Sequence, residues 1–216
     1  MILVPIKNTS GAKQRLASIL DQNSRTRLAR AMLHDVLSAL YEWKDRPSVG
    51  IVTSDPYASQ LASEYQFEII PDPENPGETG AIEMATQVCV ERGEDSTLVI
   101  PADIPLIKPW ELEEIYKQAP AEGTILVPAG DGRGTNAAFR RPANLFPLRF
   151  GNDSFRPHHA AAQATGKPCV ILSLPGIAVD VDNPEDLQQL IALPGNTRAQ
   201  QLAREYVRIG KMPSPV

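Results

Sequence analysis

The sequence predicts an α/β domain with a mostly parallel sheet flanked by helices, and three observations carry that expectation. Short apolar runs of strand length alternate along the chain with stretches of helical periodicity. The run at 98–100 is apolar throughout, as a strand buried on both faces requires. The 216 residues, 42% apolar and 22% charged, suffice for one substantial core, and no repeat or linker interrupts them, so a single domain over 1–216 is expected.

The first strand, residues 2–6, carries Pro5, which suits its end or an irregular position. Residues 7–16 follow as a turn-rich loop with Gly11 and three cations, Lys7, Lys13 and Arg15. A strand, a glycine-containing loop and clustered bases are how backbone N–H and ammonium groups hold phosphates. Neither the Walker A nor the GxGxxG spacing is present, and basic residues in a loop are often merely solvated. The clearest helix spans 24–43, with Leu28, Met32, Val36, Leu37 and Leu40 on one face and Asn23 or Ser24 as its cap. His34 and Asp35 within it read as structural or solvent-facing. Tyr41 and Trp43 at its end would serve as the contact surface of a homodimer.

Strands at 49–53 and 67–70 flank a helix through Leu61. The loop 71–80, dense in Pro and Gly, then precedes a helix over about 81–91, and its place at a strand end makes it a ligand contact. The strand 98–100 stops at Pro101 and Pro105 and leaves Asp103 just past its carboxyl end, the edge where open α/β sheets bind ligands. A carboxylate there suits a divalent cation held against phosphates. The plainer alternative is an aspartate that shapes a turn.

A helix opens at Pro109, with Glu111, Glu113 and Glu114 near its positive end. Strands at 124–127 and 137–140 are joined by a loop of three glycines with Arg133, Thr135 and Asn136 as polar contacts, or else by a plain flexible hairpin. Around 150–159, Asp153 or Ser154 caps a helix whose free N–H groups would bind a phosphate or carboxylate; capping alone explains Ser154 equally well. His158 and His159 lack the i, i+4 spacing of two metal ligands on one helical face. Strands at 170–172 and 177–181 close the sheet. Asp180 and Asp182 fall on one face of the last strand, where like charges call for a cation, unless one of them caps the helix opening at 183–185. An amphipathic helix at 197–209 and a frayed Pro-rich tail end the chain.

A net charge of −5 gives no general attraction to nucleic acid or to an anionic membrane, so an anionic ligand needs a local basic cluster or a metal. No run approaches 18 apolar residues and the start lacks a signal-peptide pattern, so a cytoplasmic protein is expected. The two cysteines, Cys89 and Cys169, are far apart and read as reduced thiols.

Several stretches together resemble one family. They are 4–7 (Val-Pro-Ile-Lys), 10–16 (Ser-Gly-Ala-Lys-Gln-Arg-Leu) and 29–36 (Ala-Arg-Ala-Met-Leu-His-Asp-Val). Further on come 101–106 (Pro-Ala-Asp-Ile-Pro-Leu), 134–136 (Gly-Thr-Asn), 150–155 (Phe-Gly-Asn-Asp-Ser-Phe) and 178–187. In this order, over almost the whole chain, they resemble the phospholactate/phosphoenolpyruvate guanylyltransferases of coenzyme F420 biosynthesis. The resemblance implies a nucleotidyltransferase-A-like α/β fold. It also implies transfer of GMP from GTP to the phosphate of a three-carbon acid, with release of pyrophosphate and with Mg2+ as cofactor.

By the same resemblance Asp103, Asp180 and Asp182 match the carboxylates that hold Mg2+, and they are expected to converge at one sheet edge facing the 7–16 loop. Thr135, Gly151 and Ser154 match the positions that hold the phospho-acid. Lys13 and Arg15 match triphosphate contacts, with Lys7, Gly11 and Gly80 as further nucleotide-binding positions and Lys13 and Asp103 as the catalytic pair. The family commonly has Gly-Leu-Asn-x-Ala before its fourth helix. Here residues 78–82 read Glu-Thr-Gly-Ala-Ile, without that Asn, which leaves base preference open. The acceptor, whether 2-phospho-L-lactate, phosphoenolpyruvate or 3-phospho-D-glycerate, is left open as well. The competing readings are another nucleotidyltransferase of this fold, against which the Val-Pro-Ile-Lys opening speaks, and a non-catalytic nucleotide-binding protein, against which the three aspartates speak.

Overall fold

The strands are Ile2–Ile6 (β1), Val49–Thr53 (β2), Glu68–Pro71 (β3), Thr97–Val99 (β4), Gly123–Pro128 (β5), Thr135–Arg141 (β6) and Cys169–Ile171 (β7). They form one sheet in the order β3-β2-β1-β4-β6-β5-β7, parallel throughout except for β6, which runs antiparallel to both of its neighbours. The computed structural model describes residues 1–74, 77–151 and 153–209; the Pro-rich tail predicted to fray lies outside them from residue 210 on.

Pro5 sits inside the central strand without breaking it, and the register explains why. Leu3 O accepts from Ile100 N, so alternate residues of β1 face β4, while the pairing with β4 ends at Leu3 with Val99. Pro5 is the next residue on that side. Its missing N–H ends the pairing with β4 one rung past Leu3, so the proline costs the strand only the last bond on that side.

Helices Gln22–Glu42 (α1), Pro56–Glu64 (α2), Glu78–Glu91 (α3), Pro109–Gln118 (α4), Phe155–Ala164 (α5), Pro184–Ala192 (α6) and Arg198–Arg208 (α7) cover the sheet. Leu33, Val36, Leu37 and Leu40 of α1, with Leu61 of α2 and Leu112 of α4, bury one face against Ile2, Val4 and Ile51. Ala81, Ile82 and Ala85 of α3 and Ala162 of α5 close the other against Leu3, Val52 and Leu126. A third cluster packs α6 and α7 on the start of α1, with Leu16 and Leu20 beneath. A fully buried Leu side chain is worth about 1.5–3 kcal/mol, so these faces, more than helix propensity, hold the layers together.

Three local expectations are corrected. The cap of α1 is Asp21, whose carboxylate accepts from Ser24 N at 2.7 Å, rather than Asn23 or Ser24. Trp43 is buried and stacks obliquely on Tyr116 at 5.3 Å between centroids, so it offers no contact surface; Tyr41 alone stays exposed, with Lys44 and Arg46 over its ring. The run 177–181 is not a strand. Pro175 and Gly176 break it away from β7, and the buried Glu111 carboxylate captures Gly176 N at 2.7 Å and Ile177 N at 3.4 Å, amides that a ladder would need. The apolar alternation survives even so. Ile177, Val179 and Val181 point into the core, and Asp180 and Asp182 remain half-exposed on the opposite side.

Candidate active site

At the carboxyl end of the sheet two clefts adjoin. The smaller, of about 380 Å3, runs between the first loop and α1, with Lys7, Lys13 and Arg15 beside the apolar Ala29, Met32 and Leu33. The larger, of about 750 Å3, lies over the β5–β6 loop and the start of α5 and includes Thr135, Gly151, Ser154 and Asp180. Arg15, Glu78, Asp103 and Asp182 border both.

The first loop folds as two 3-10 turns, Thr9–Gly11 and Gln14–Leu16, and is tied down at its root. Asp55 at the end of β2 accepts from Thr9 N at 2.7 Å and from Thr9 Oγ1 at 2.9 Å. Burial works against that carboxylate, but the amide hydrogen bonds from Ala58 and Thr9 win and keep its pKa below the ordinary range. Between the turns Lys13 takes a left-handed backbone, φ +57°, uncommon for a residue with a Cβ. The reversal sends its side chain inward, where Nζ donates to Asp103 at 2.6 Å and to Asp182 at 2.8 Å. Burial disfavours the ammonium, yet the two carboxylates more than offset it and raise the Lys13 pKa above the usual lysine value. Reciprocally, burial would raise Asp182, and Lys13 turns that into a lowering. Arg15 stands 3.7 Å from the second oxygen of Asp182.

Asp180 behaves differently from its neighbour. Its Oδ1 accepts from Asn136 Nδ2 at 3.0 Å, and the same amide donates to Ile177 O at 2.9 Å, which locks the 177–182 segment to β6. Burial first, and then the charges on Asp103 and Asp182, raise its pKa. Neither Asp180 nor Asp182 caps α6. Asn183 does so, accepting from Asp186 N at 3.0 Å. Among the described residues no three His, Cys, Asp or Glu side chains gather as a metal-holding group. Asp103 and Asp182 nonetheless fit Mg2+ that arrives on phosphates. Such an ion takes hard oxygen ligands and needs only one or two carboxylates besides the phosphate oxygens.

In the larger cleft Ser154 precedes α5 without capping it. Its Oγ accepts from Thr135 N at 3.0 Å and ties the two hydroxyl residues together, but the free amides expected at the start of α5 are largely absent: Phe155 N donates to Arg133 O at 2.8 Å and Pro157 has no N–H. Thus Lys13, Asp103 and Asp182 meet directly; Thr135, Gly151, Ser154 and Asp180 line the neighbouring cleft; and Lys7 lines the smaller one. Gly11 and Gly80 border neither. The Gly11 amide is taken by Asn8 Oδ1 at 3.3 Å, and Gly80 lies two residues into α3.

Sequence reasoning missed Glu78. The helix it opens begins three residues before the expected start, and this brings its carboxyl to the border of both clefts. Burial, with Asp103 and Asp182 nearby, raises its pKa to about 7 against the partial counter-effect of Lys7 and Lys13. An unfolded glutamate titrates near 4.5, so between about 4.5 and 7 the folded chain binds the extra proton and stability falls as pH rises through that window. Glu78→Gln should flatten this part of the stability–pH curve measured by urea unfolding. An unchanged slope would show that the Glu78 carboxyl titrates normally.

Relatives and solved structures agree with the architecture. A phosphoenolpyruvate guanylyltransferase of Roseiflexus castenholzii is 36% identical over 95% of this chain and 94% of its own length. A 3-phospho-D-glycerate guanylyltransferase of Colwellia psychrerythraea is 32% identical over 93% and 95%. A 2-phospho-L-lactate guanylyltransferase of Methanothermobacter thermautotrophicus is 31% identical over 95% and 88%. The solved structure of a nucleotide-diphospho-sugar transferase-like protein from Desulfovibrio desulfuricans G20 superposes with a TM-score of 0.79 over 96% of this chain and 95% of that one, at 18% identity, and so speaks for the fold alone. A model of the guanylyl transferase CofC-like family matches residues 1–212, and the chain belongs to that family.

Proposed function

We propose that this chain is a Mg2+-dependent guanylyltransferase that moves GMP from GTP to the phosphate of a three-carbon phospho-acid, as a cytoplasmic enzyme of coenzyme F420 biosynthesis. The observation that carries the reading is the Lys13 ammonium held between Asp103 and Asp182 where a basic cleft and a hydroxyl-lined cleft meet. GTP fits the smaller cleft, its triphosphate beside Lys7, Lys13 and Arg15. The acceptor fits the larger one, its anionic groups on the Thr135 and Ser154 hydroxyls. Names of the relatives support both halves, since each pairs guanylyl transfer with a phospho-acid.

An oxygen of the acceptor phosphate attacks the α-phosphorus in line. The bond from that phosphorus to the oxygen it shares with the β-phosphorus breaks, and pyrophosphate leaves with the electron pair. No protein nucleophile is required, so the residues work by holding the two phosphates in line and by offsetting the charge that builds on the equatorial oxygens. Lys13 holds a fixed positive charge beside the reacting phosphates. Asp103 and Asp182 would hold Mg2+, which supplies Lewis-acid neutralisation of the triphosphate.

A panel of four NTPs against phosphoenolpyruvate, 2-phospho-L-lactate and 3-phospho-D-glycerate, with Mg2+ and a pyrophosphate readout, tests this. Release with GTP and one acceptor is expected. Release with CTP or UTP instead would make the chain a different nucleotidyltransferase, and none with any pair would make it a binding protein.

A further inference from the structure

His158 is almost wholly buried, and its hydrogen bonds fix its tautomer without ambiguity. Its Nε2 lies 2.8 Å from the backbone N–H of Arg149, which can only donate, so Nε2 is the acceptor. Burial, reinforced by the Arg140 charge, lowers its pKa to about 4, and the ring is neutral. A neutral imidazole with an acceptor Nε2 carries its proton on Nδ1, and Nδ1 lies 2.9 Å from Thr135 Oγ1. The ring therefore donates to the threonine hydroxyl, which cannot spend its own proton on the ring. Thr135 N meanwhile donates to Ser154 Oγ, so that hydroxyl too accepts from within and keeps its proton for a ligand. Phe150 packs edge-on against the ring at 5.0 Å and holds it in plane.

We propose that His158 is a positioning residue: it orients the Thr135 hydroxyl as a hydrogen-bond donor into the larger cleft, toward an anionic oxygen of the phospho-acid. The inference rests on the acceptor reading above and deepens it. A ring with the other tautomer would accept from Thr135 and turn that hydroxyl into an acceptor facing an anion. The identity of the group that bonds Nε2, a backbone amide that is present at every pH, prevents this.

Two substitutions separate the two ends of the ring. His158→Asn can place an amide N–H where Nδ1 stands and lacks a group at Nε2; His158→Gln can place a carbonyl where Nε2 stands and leaves Thr135 without its donor. His158→Gln should raise KM for the acceptor about ten-fold, the scale of one lost hydrogen bond to a charged group, with KM for GTP unchanged. His158→Asn should stay within about two-fold of wild type. In a Thr135→Val background His158→Gln should add nothing to acceptor KM, because the effect runs through that hydroxyl. Nitrogen-15 NMR of the histidine rings should show His158 as the neutral Nδ1–H form from pH 8 to pH 5. An Nε2–H tautomer, equal losses in the Gln and Asn variants, or a Gln effect that persists without the Thr135 hydroxyl would overturn the proposal. Failure of the functional reading looks different: wild type would then turn over no phospho-acid, while the tautomer would still be read directly.

Discussion

Replacing Lys13 with methionine should lower kcat for guanylyl transfer by about 10²–10³-fold, the effect of removing one preorganised charge from a developing phosphoryl transition state. Methionine keeps the length of the chain and the same strained left-handed backbone, so the change isolates the charge. Two consequences follow from the geometry. The reacting phosphates would lose a fixed cation, and Asp103 and Asp182, now held at 2.6 and 2.8 Å from one ammonium, are left facing each other without it. The second effect should appear as a lower Tm in the ligand-free protein. A variant with wild-type kcat would show that Lys13 only ties the loop to the sheet.

Asp103→Asn should reduce turnover by a comparable 10²–10³-fold while the fold persists, with Tm moving by no more than about 2–4 °C. The fold is insensitive because the part of Asp103 that supports it is its backbone carbonyl, which accepts from Val181 N at 3.1 Å and is unchanged by the substitution. Lys13 also keeps its bond to Asp182. Kinetics at increasing Mg2+ should show the variant needing more of the ion for half-maximal rate, since one of two hard oxygen ligands is gone. Normal turnover at ordinary Mg2+ would remove Asp103 from the phosphate machinery.

Much of this site was legible in the sequence because its markers are local. The stop after β4 is written in Pro101 and Pro105, and the basic loop after β1 in Lys7, Lys13 and Arg15, so the edge where the two clefts adjoin followed from the strand pattern alone. The rest depends on distant partners. Ile177–Val179–Val181 alternates like a strand, but Glu111, some 65 positions earlier, takes the amides that would have built it. Periodicity reports which side chains are buried and is silent on which backbone groups pair. The hairpin reading of the loop between 124–127 and 137–140 allows β6 to run antiparallel to β5, but its insertion between β4 and β5 is invisible for the same reason. Lys13 could be named as a phosphate contact, yet its place between two carboxylates depends on a single left-handed φ at a residue that rarely adopts one. His158 read as an unpromising metal ligand because spacing says nothing of a backbone N–H at Arg149. Glu78 carries no local marker, since its neighbours Asp103 and Asp182 come from elsewhere in the chain.

The central claim is direct transfer between two adjoining clefts, with Lys13 acting through its charge and never through a covalent bond to the nucleotide. The stereochemical course at the α-phosphorus decides it. With one diastereomer of GTP carrying sulfur on the α-phosphate, and with the preferred phospho-acid as acceptor, a single in-line displacement predicts inversion of configuration in the product. Retention would require two displacements and hence a guanylylated protein side chain, and would contradict the account.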